Sequence, residues 1–496
     1  MNERNMCIRI RRKLGNILWI TCYWSLIYSM FVNLDSSFAQ DLPLRVSEPV
    51  DSVIADLKSY IPNRMNEADV PGLAIALIRD NKIVWTDGFG VVNRLTGRPV
   101  SSKTVFEAAS ISKVVTAYTA LRLVEKGQLS LDEPAHIHLK KPWLPPSAFA
   151  DKITLRHLLS HSSGLGDDPF FKNKHIVFEP GSDFLYSGMG AEYVKELIEQ
   201  MTDKSLEEAA REIVFNPLGM YGSSFVNEAR VMASMANGHM RYLLTLMSFL
   251  IPFMLITLIA GIITLILNRI IKGSWRTAWQ LKVAVCVFAF IITELLLYLF
   301  IGKPFPNLIW VTIICAIVFS GVSLLSYMFV RGLVSRISPL RQKKVLRFTI
   351  TTTWMIISLI TFLIIANSLT GPVPKNHSGE ASAIGSLRST APDLAAFLIE
   401  LTNPRYLSEA IASQIDSVQV TINQDFSWGL GIGIQHTIHG DAIWQNANTL
   451  AFRGIMVMYP REAHGVVVLT NCDSGLSVAY DIAEKALGGE AKWKFF

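Results

Sequence analysis

Cysteine and charge are both scarce in this chain. Only 17% of its 496 residues are Asp, Glu, Lys or Arg, and half are hydrophobic. Its five cysteines are Cys7, Cys22, Cys286, Cys315 and Cys472. Two fall in an N-terminal leader and two in long apolar runs, which leaves Cys472 alone in the remaining sequence. That distribution excludes a disulfide framework and shows no metal-ligand spacing. The ten histidines do not read as a zinc-ligand set, so no metal or cofactor is implied. The formal charge of +6 arises from Arg4, Arg9, Arg11, Arg12 and Lys13 and from basic residues flanking apolar runs. No basic stripe with interleaved aromatics remains, which sets nucleic acid aside as a partner. Positive mean hydropathy is too high for a wholly soluble enzyme.

The apolar content is concentrated. Residues 1–39 read as a signal peptide or signal anchor: a basic start, an apolar run from Leu14 to Val32, then Ser37-Phe38-Ala39 before Gln40. Four further runs, Leu243–Leu267, Val283–Ile301, Leu308–Val330 and Phe348–Leu369, approach or exceed the ~20 residues that cross a bilayer. Arg269, Lys272, Arg276 and Lys282 follow the first run. Arg331, Arg336, Arg341, Lys343, Lys344 and Arg347 follow the third, and only Lys303 lies between the second and third. Basic loops stay in the cytoplasm, so the flanking sequence is expected outside it, around a four-helix transmembrane insert at 241–370. Glu294, the one ionisable residue within a run, reads as a hydrogen-bonded structural group.

Four organisational units follow: the leader 1–39, a first piece 40–240, the insert 241–370 and a second piece 371–496. The two pieces together hold roughly 330 residues, within reach of one large domain. Leu73–Ile78 and Ile83–Phe89 alternate as a hairpin turning at Asp80-Asn81. Gly429–Ile434, Phe452–Tyr459 and Gly465–Thr470 also read as strands, and Glu192–Met201 and Leu206–Ile213 as helices. Both pieces thus supply strands to one antiparallel sheet with helices packed against it, an α+β architecture.

Within the first piece, Ser110 and Lys113 form the only S-x-x-K in the chain. Val114, Val115, Ala117, Ala120, Leu121 and Val124 recur at helical spacing after it, and Gly127 supplies a stop. Ser110 is therefore expected at the first turn of a buried helix, with Lys113 on the same face. A serine hydroxyl is a poor nucleophile until a neighbouring base takes its proton, and its own amide at a helix start can form part of an oxyanion site.

Several ordered segments then resemble a known family. They are PGLAIALIRDNKIVWTDGFGVVNRLTGRPV, FEAASISK, LVEKGQLSLDEP, ITLRHLLSHSSGL, EPGSDFLYSG, IVFNPLGMYGSSF, GSLRSTAPDLAAFL and FRGIMVMYP…GVVVLTN. The chain resembles the serine β-lactamase-like proteins, specifically class C β-lactamases and penicillin-binding-protein-related esterases and peptidases. The resemblance implies a β-lactamase/transpeptidase-like domain, a sheet-and-helix sandwich beside an all-helical region with the site between them. It implies Ser110 as the acylating serine, Lys113 as its base, and Tyr186 of Y-S-G as the tyrosine of a second motif, Y-x-N. Asn448 would add a second oxyanion amide. His157 and His161, in LRHLLSHSSGL, read as structural, since no acid is placed to orient either ring.

Two departures from the family pattern bear on substrate. Gly188 stands where the second motif has asparagine, and Gln445-Asn446-Ala447 aligns with the third motif, K-T-G or H-x-G. Gln445 carries no charge; Arg453, in the next strand, is the candidate to replace it. The expected activity is that of an exported, membrane-bound serine hydrolase acting through an acyl-serine on an ester or amide. Its substrate would be a small-molecule, peptide-like or lipid-like compound, with membrane lipid as a further partner and no set oligomeric state. The alternative is a catalytically silent binding or sensor protein that keeps the fold.

Overall fold

Asp80 and Asn81 both adopt a left-handed backbone, φ 54° each, so a two-residue turn joins Gly72–Arg79 (β1) to Lys82–Gly90 (β2). Such a turn matches the right-handed twist of the strands it connects. The structure, a computed structural model, describes residues 43–94, 96–167, 174–240 and 380–495. The leader 1–39, the four apolar runs of 241–370 and Glu294 lie outside the described residues. Among the described residues, no helix is long and apolar enough to cross a membrane.

Short strands follow at Phe106–Glu107 (β3), Leu165–Gly166 (β4), His175–Ile176 (β5) and Arg388–Ser389 (β6). The second piece then contributes Val420–Thr421 (β7), Phe426–Trp428 (β8), Gly433–Gln435 (β9), Ala442–Asn448 (β10), Arg453–Tyr459 (β11) and His464–Thr470 (β12). One eight-stranded sheet runs β2-β1-β12-β11-β10-β9-β8-β7, antiparallel at every pair. β1 and β12, from the two pieces, pair from Leu73 with Thr470 to Ile78 with Gly465. The single sheet built from both pieces matches expectation. The expected strand Gly429–Ile434 does not: its first half is the β8–β9 turn, with Gly431 at φ 89°. A Cβ at Gly431 would stand 2.3 Å from the Ala117 Cβ, so no other residue fits that turn unshifted.

Helices cover both faces. Val50–Glu67 (α1) and, at the chain's end, Gly475–Leu487 pack on one side with Ile75, Val457, Val468 and Ile482 at the contact. Ile111–Glu125 (α2), Leu155–Leu159 (α3), Gly188–Thr202 (α4) and Ala391–Thr402 (α5) belong to the other side. Gly475–Leu487 is α6. All eight residues of β1 are buried because it is covered on both faces, whereas edge strand β2 opens with exposed Lys82, Ile83 and Val84. Expected helix Leu206–Ile213 is an α-helix only to Ala210, and Arg211–Phe215 widens into a π turn. The alternation of β10 then matters most: Ile443, Gln445 and Ala447 look toward α2, and Ala442, Trp444 and Asn446 look toward α6.

Candidate active site

Ser110 immediately precedes α2, after an Ala109 held at φ 47°. A left-handed alanine costs about 1–2 kcal/mol, and such strain persists only where surroundings enforce it. Here they do: Ala108 N–H donates to the Leu387 carbonyl at 2.8 Å, and Leu387 N–H donates to Ser112 Oγ at 2.9 Å. Phe106 and Glu107 pair with Ser389 and Arg388 in the same strap. The amides of Ile111, Ser112 and Lys113 are not free donors, as a helix start suggested; they bond back to the carbonyls of Ala108, Ala109 and Ser110. The Ser110 amide, one residue ahead of these, is the candidate oxyanion donor of this turn.

The Ser110 hydroxyl makes no cap bond to its helix. Ser187, in contrast, accepts from Gly190 N–H to cap α4. Lys113 Nζ donates to Ser110 Oγ at 3.2 Å and to the Ile384 carbonyl at 2.8 Å. It also lies 5.0 Å from the centre of the Tyr186 ring, over its face. Lys113 is buried. Ser110 and Tyr186 keep partial access to solvent. The structure thus brings Ser110, Lys113 and Tyr186 together around one amine.

Gln445 forms the opposite wall. Its Nε2 donates to the Asn446 carbonyl at 3.1 Å and makes a long contact, 3.4 Å, with the Tyr186 hydroxyl oxygen. Its Oε1 is buried without a hydrogen-bond partner. Asn448 closes the strand. β9 pairs with β10 only as far as Trp444, whereas β11 continues to Asn448. Thr449 N–H turns toward β11, donating to Phe452 O at 3.0 Å, so the preceding amide of Asn448 points to the open edge. Arg453 is not brought to this group. It pairs with Asn448 and Thr470, and Thr470 pairs with Leu73, which places all of them on the α1–α6 face. The wall facing Ser110 therefore carries a neutral amide where a replacement cation was expected.

Gly188 offers the site no side chain. Its amide and that of Met189 donate to Asp167, both at 2.8 Å, sealing the start of α4. His157 closes a capping box with Thr154 and is structural, as its sequence context indicates. His161 is different. Its ring lies 4.5 Å from that of Tyr186 and 5.2 Å from that of Trp428. Burial first, and then the Lys113 charge, depress its pKa to about 3, so the ring is neutral. The segment carries no sequence signal for this contact, because it depends on the path of a loop 25 residues downstream. Among the described residues, no three His, Cys, Asp or Glu side chains gather to hold a metal.

The Beta-lactamase family model matches residues 57–243. Esterase EstB of Burkholderia gladioli is 28% identical over 220 residues, covering 37% of this chain and 55% of that protein. Penicillin-binding protein 4 of Amycolatopsis lactamdurans is 29% identical over 190 residues, covering 35% and 50%. The chain thus spans about half the length of these relatives. Among solved structures, the octameric penicillin-binding protein homologue of Pyrococcus abyssi superposes with a TM-score of 0.55 at 19% identity, covering 88% of this chain and 78% of its own. D-alanine carboxypeptidase AmpC of Burkholderia cenocepacia gives 0.51 at 16%, covering 88% and 99%. At these identities the superpositions speak for the fold. Residues 57–243 thus match the Beta-lactamase family model, and the described residues adopt the β-lactamase/transpeptidase-like α+β fold.

Proposed function

We propose that this protein is a serine hydrolase that works through an acyl-serine intermediate on an uncharged ester or small amide. One observation carries the reading: an uncapped serine hydroxyl lies 3.2 Å from a buried lysine amine that also covers the face of Tyr186. The free-amine form of Lys113 takes the proton as Ser110 Oγ bonds to the substrate carbonyl carbon. The oxyanion sits between the amides of Ser110 and Asn448, donors that need no reorganisation. As the C–O or C–N bond breaks, the leaving group receives a proton from the Lys113–Tyr186 pair. Water then adds to the acyl carbon, giving up its proton to the same pair; the bond from that carbon to Oγ breaks, the carboxylic acid leaves, and Ser110 Oγ takes the proton back.

The preference for an uncharged acyl group rests on Gln445 and Gly188. Neither a cation nor a side-chain amide at position 188 stands ready to grip a peptide-like substrate. The relatives' printed names, an esterase and a penicillin-binding protein, span both options, and the chemistry of this wall favours the ester. The leader and the four apolar runs with basic flanks support an exported, membrane-bound protein whose hydrolase domain lies on the extracytoplasmic side, within reach of lipid-like substrates.

The test is covalent labelling by a fluorophosphonate, together with turnover of p-nitrophenyl esters. Wild type should label and turn over, and Ser110→Ala should do neither; equal labelling of both would refute the assignment. The changes at positions 188 and 445 are what favour the alternative, a silent binding protein. Ester turnover that disappears in Lys113→Ala rules that alternative out.

A further inference from the structure

His161 takes no part in the steps above, yet it contacts the Tyr186 segment in three ways. Its carbonyl accepts from Leu185 N–H at 2.8 Å, and its Nδ1 accepts from Ser187 N–H at 3.2 Å. Between those two bonds its ring lies 4.5 Å from the Tyr186 ring, tilted by 46°. The residues on both sides of Tyr186 are therefore tied to one histidine. His161 also has φ 57°, a left-handed backbone that aims carbonyl and ring at the same short segment. Phe184 and Trp428 fix the ring from the remaining sides, at 6.2 and 5.2 Å.

We infer that His161 is the positioning residue for Tyr186, holding the phenol over the Lys113 amine so that the pair can exchange protons with substrate and water. The inference rests on the hydrolase reading given above. Among the described residues, the Tyr186 hydroxyl makes only the long 3.4 Å contact with Gln445, so its position depends on what holds its ring and flanks. Its segment is irregular backbone leading into α4 and is secured beyond residue 187 by Asp167. Without His161, the backbone of this segment would be tied only beyond residue 187, and the ring would keep Trp428, 5.5 Å away, as its aromatic neighbour.

The charge state of the clamp follows from its bonds. Accepting from Ser187 N–H leaves Nδ1 without a proton, so the neutral ring carries its hydrogen on Nε2. A second proton would have to enter at Nδ1, against an N–H donor, and would add a positive charge beside Lys113. Burial opposes it further. His161 therefore orders Tyr186 without competing for the protons that Lys113 and Tyr186 handle. It touches neither substrate nor reacting atoms, so its effect should appear in the rate of chemistry and not in substrate capture.

Two variants of the full-length protein separate the parts of the clamp. His161→Phe keeps a ring and removes the acceptor. His161→Asn places an oxygen near the Nδ1 position and tolerates the left-handed backbone, but removes the ring. For p-nitrophenyl ester turnover, His161→Phe should lower kcat about thirtyfold with KM unchanged within twofold, and His161→Asn about fivefold. 3-Fluorotyrosine at position 186 should give one sharp 19F resonance in the wild type, broadened or split in both variants. Full kcat with an unchanged resonance overturns the inference, as does a loss confined to KM or to melting temperature. Should His161→Phe fail to fold, the asparagine variant decides alone by the same criteria. Should the wild type neither label nor turn over, the hydrolase reading falls, and the 19F comparison still determines whether His161 holds Tyr186.

Discussion

The two faces of the central sheet were built from the same strands and put to different uses. On the α1–α6 face, Leu73, Ile75, Leu77, Val457, Val466, Val468 and Ile482 are fully buried or nearly so, and packing is apolar. On the α2 face, the same strands meet a helical region that holds Ser110, Lys113, Tyr186, His161 and Gln445. A single strand shows the division: β10 sends Gln445 to the site and Asn446 to the Tyr480 hydroxyl on α6, 2.7 Å away. Alternation of side chains along a strand separates the chemistry from the framework at a spacing of one residue. Both faces bury apolar side chains, but the α2 face spends some of that stability on a left-handed Ala109, a left-handed His161 and the orphaned Gln445 oxygen.

Substitutions on the two faces should therefore separate activity from stability. The largest effect belongs to Ser110→Ala, expected to lower kcat/KM for p-nitrophenyl esters at least a thousandfold, about 4 kcal/mol, with little change in melting temperature. Ile482→Ala, on the dry face, should do the reverse. Emptying a fully buried position costs about 2–5 kcal/mol, read as a lower denaturation midpoint, while kcat of the folded fraction stays at the wild-type value. Loss of kcat in Ile482→Ala at temperatures where it is fully folded would break the division.

The dry face also carries a pH signature. His464 is fully buried, donates from Nδ1 to the Ile78 carbonyl at 3.1 Å, and is depressed to about 4 by burial and then by the Arg79 charge. The unfolded chain takes up a proton there near pH 6.5, which the folded chain refuses until about pH 4. Stability should accordingly fall as pH drops through that window, by up to ~3 kcal/mol from this group, and level off below it. Denaturant titrations of wild type and His464→Gln from pH 7 to pH 4 measure it as the difference in slope; parallel curves would refute it. The smallest effect is on the site face. Gln445→Leu should cost about tenfold in kcat, ~1.4 kcal/mol, through the lost contact to Tyr186. Its melting temperature should hold or rise, since a buried unmatched oxygen is removed. A fall in melting temperature without a change in kcat would assign Gln445 to the framework.

Much of this arrangement was legible in the chain itself, for local reasons. The β1–β2 hairpin announces itself by alternation around Asp80-Asn81, and a serine three residues before a lysine at a helix start shares its face by geometry alone. Tyr186 came through resemblance, in the Y-S-G context. What escaped depends on tertiary placement. The face on which Arg453 emerges is set by register with Asn448 and Thr470, which a single strand does not encode. His157 and His161 look equivalent in LRHLLSHSSGL, yet one caps α3 and the other lies against Tyr186 because the loop of 184–187 returns over it. The run Gly429–Ile434 imitated a strand through its isoleucines, and its glycines made it a turn. The Ile384 carbonyl gave no sequence signal at all, since a residue of any type would offer the same main-chain oxygen.

That carbonyl joins the site to the second piece of the chain. Lys113 is oriented by an oxygen that leaves the ribosome 271 residues later, and the turn bearing Ser110 is braced by Leu387 and Arg388 of the same late stretch. A nascent chain that has emerged only through its first half carries the alcohol and the amine with nothing to hold them in register.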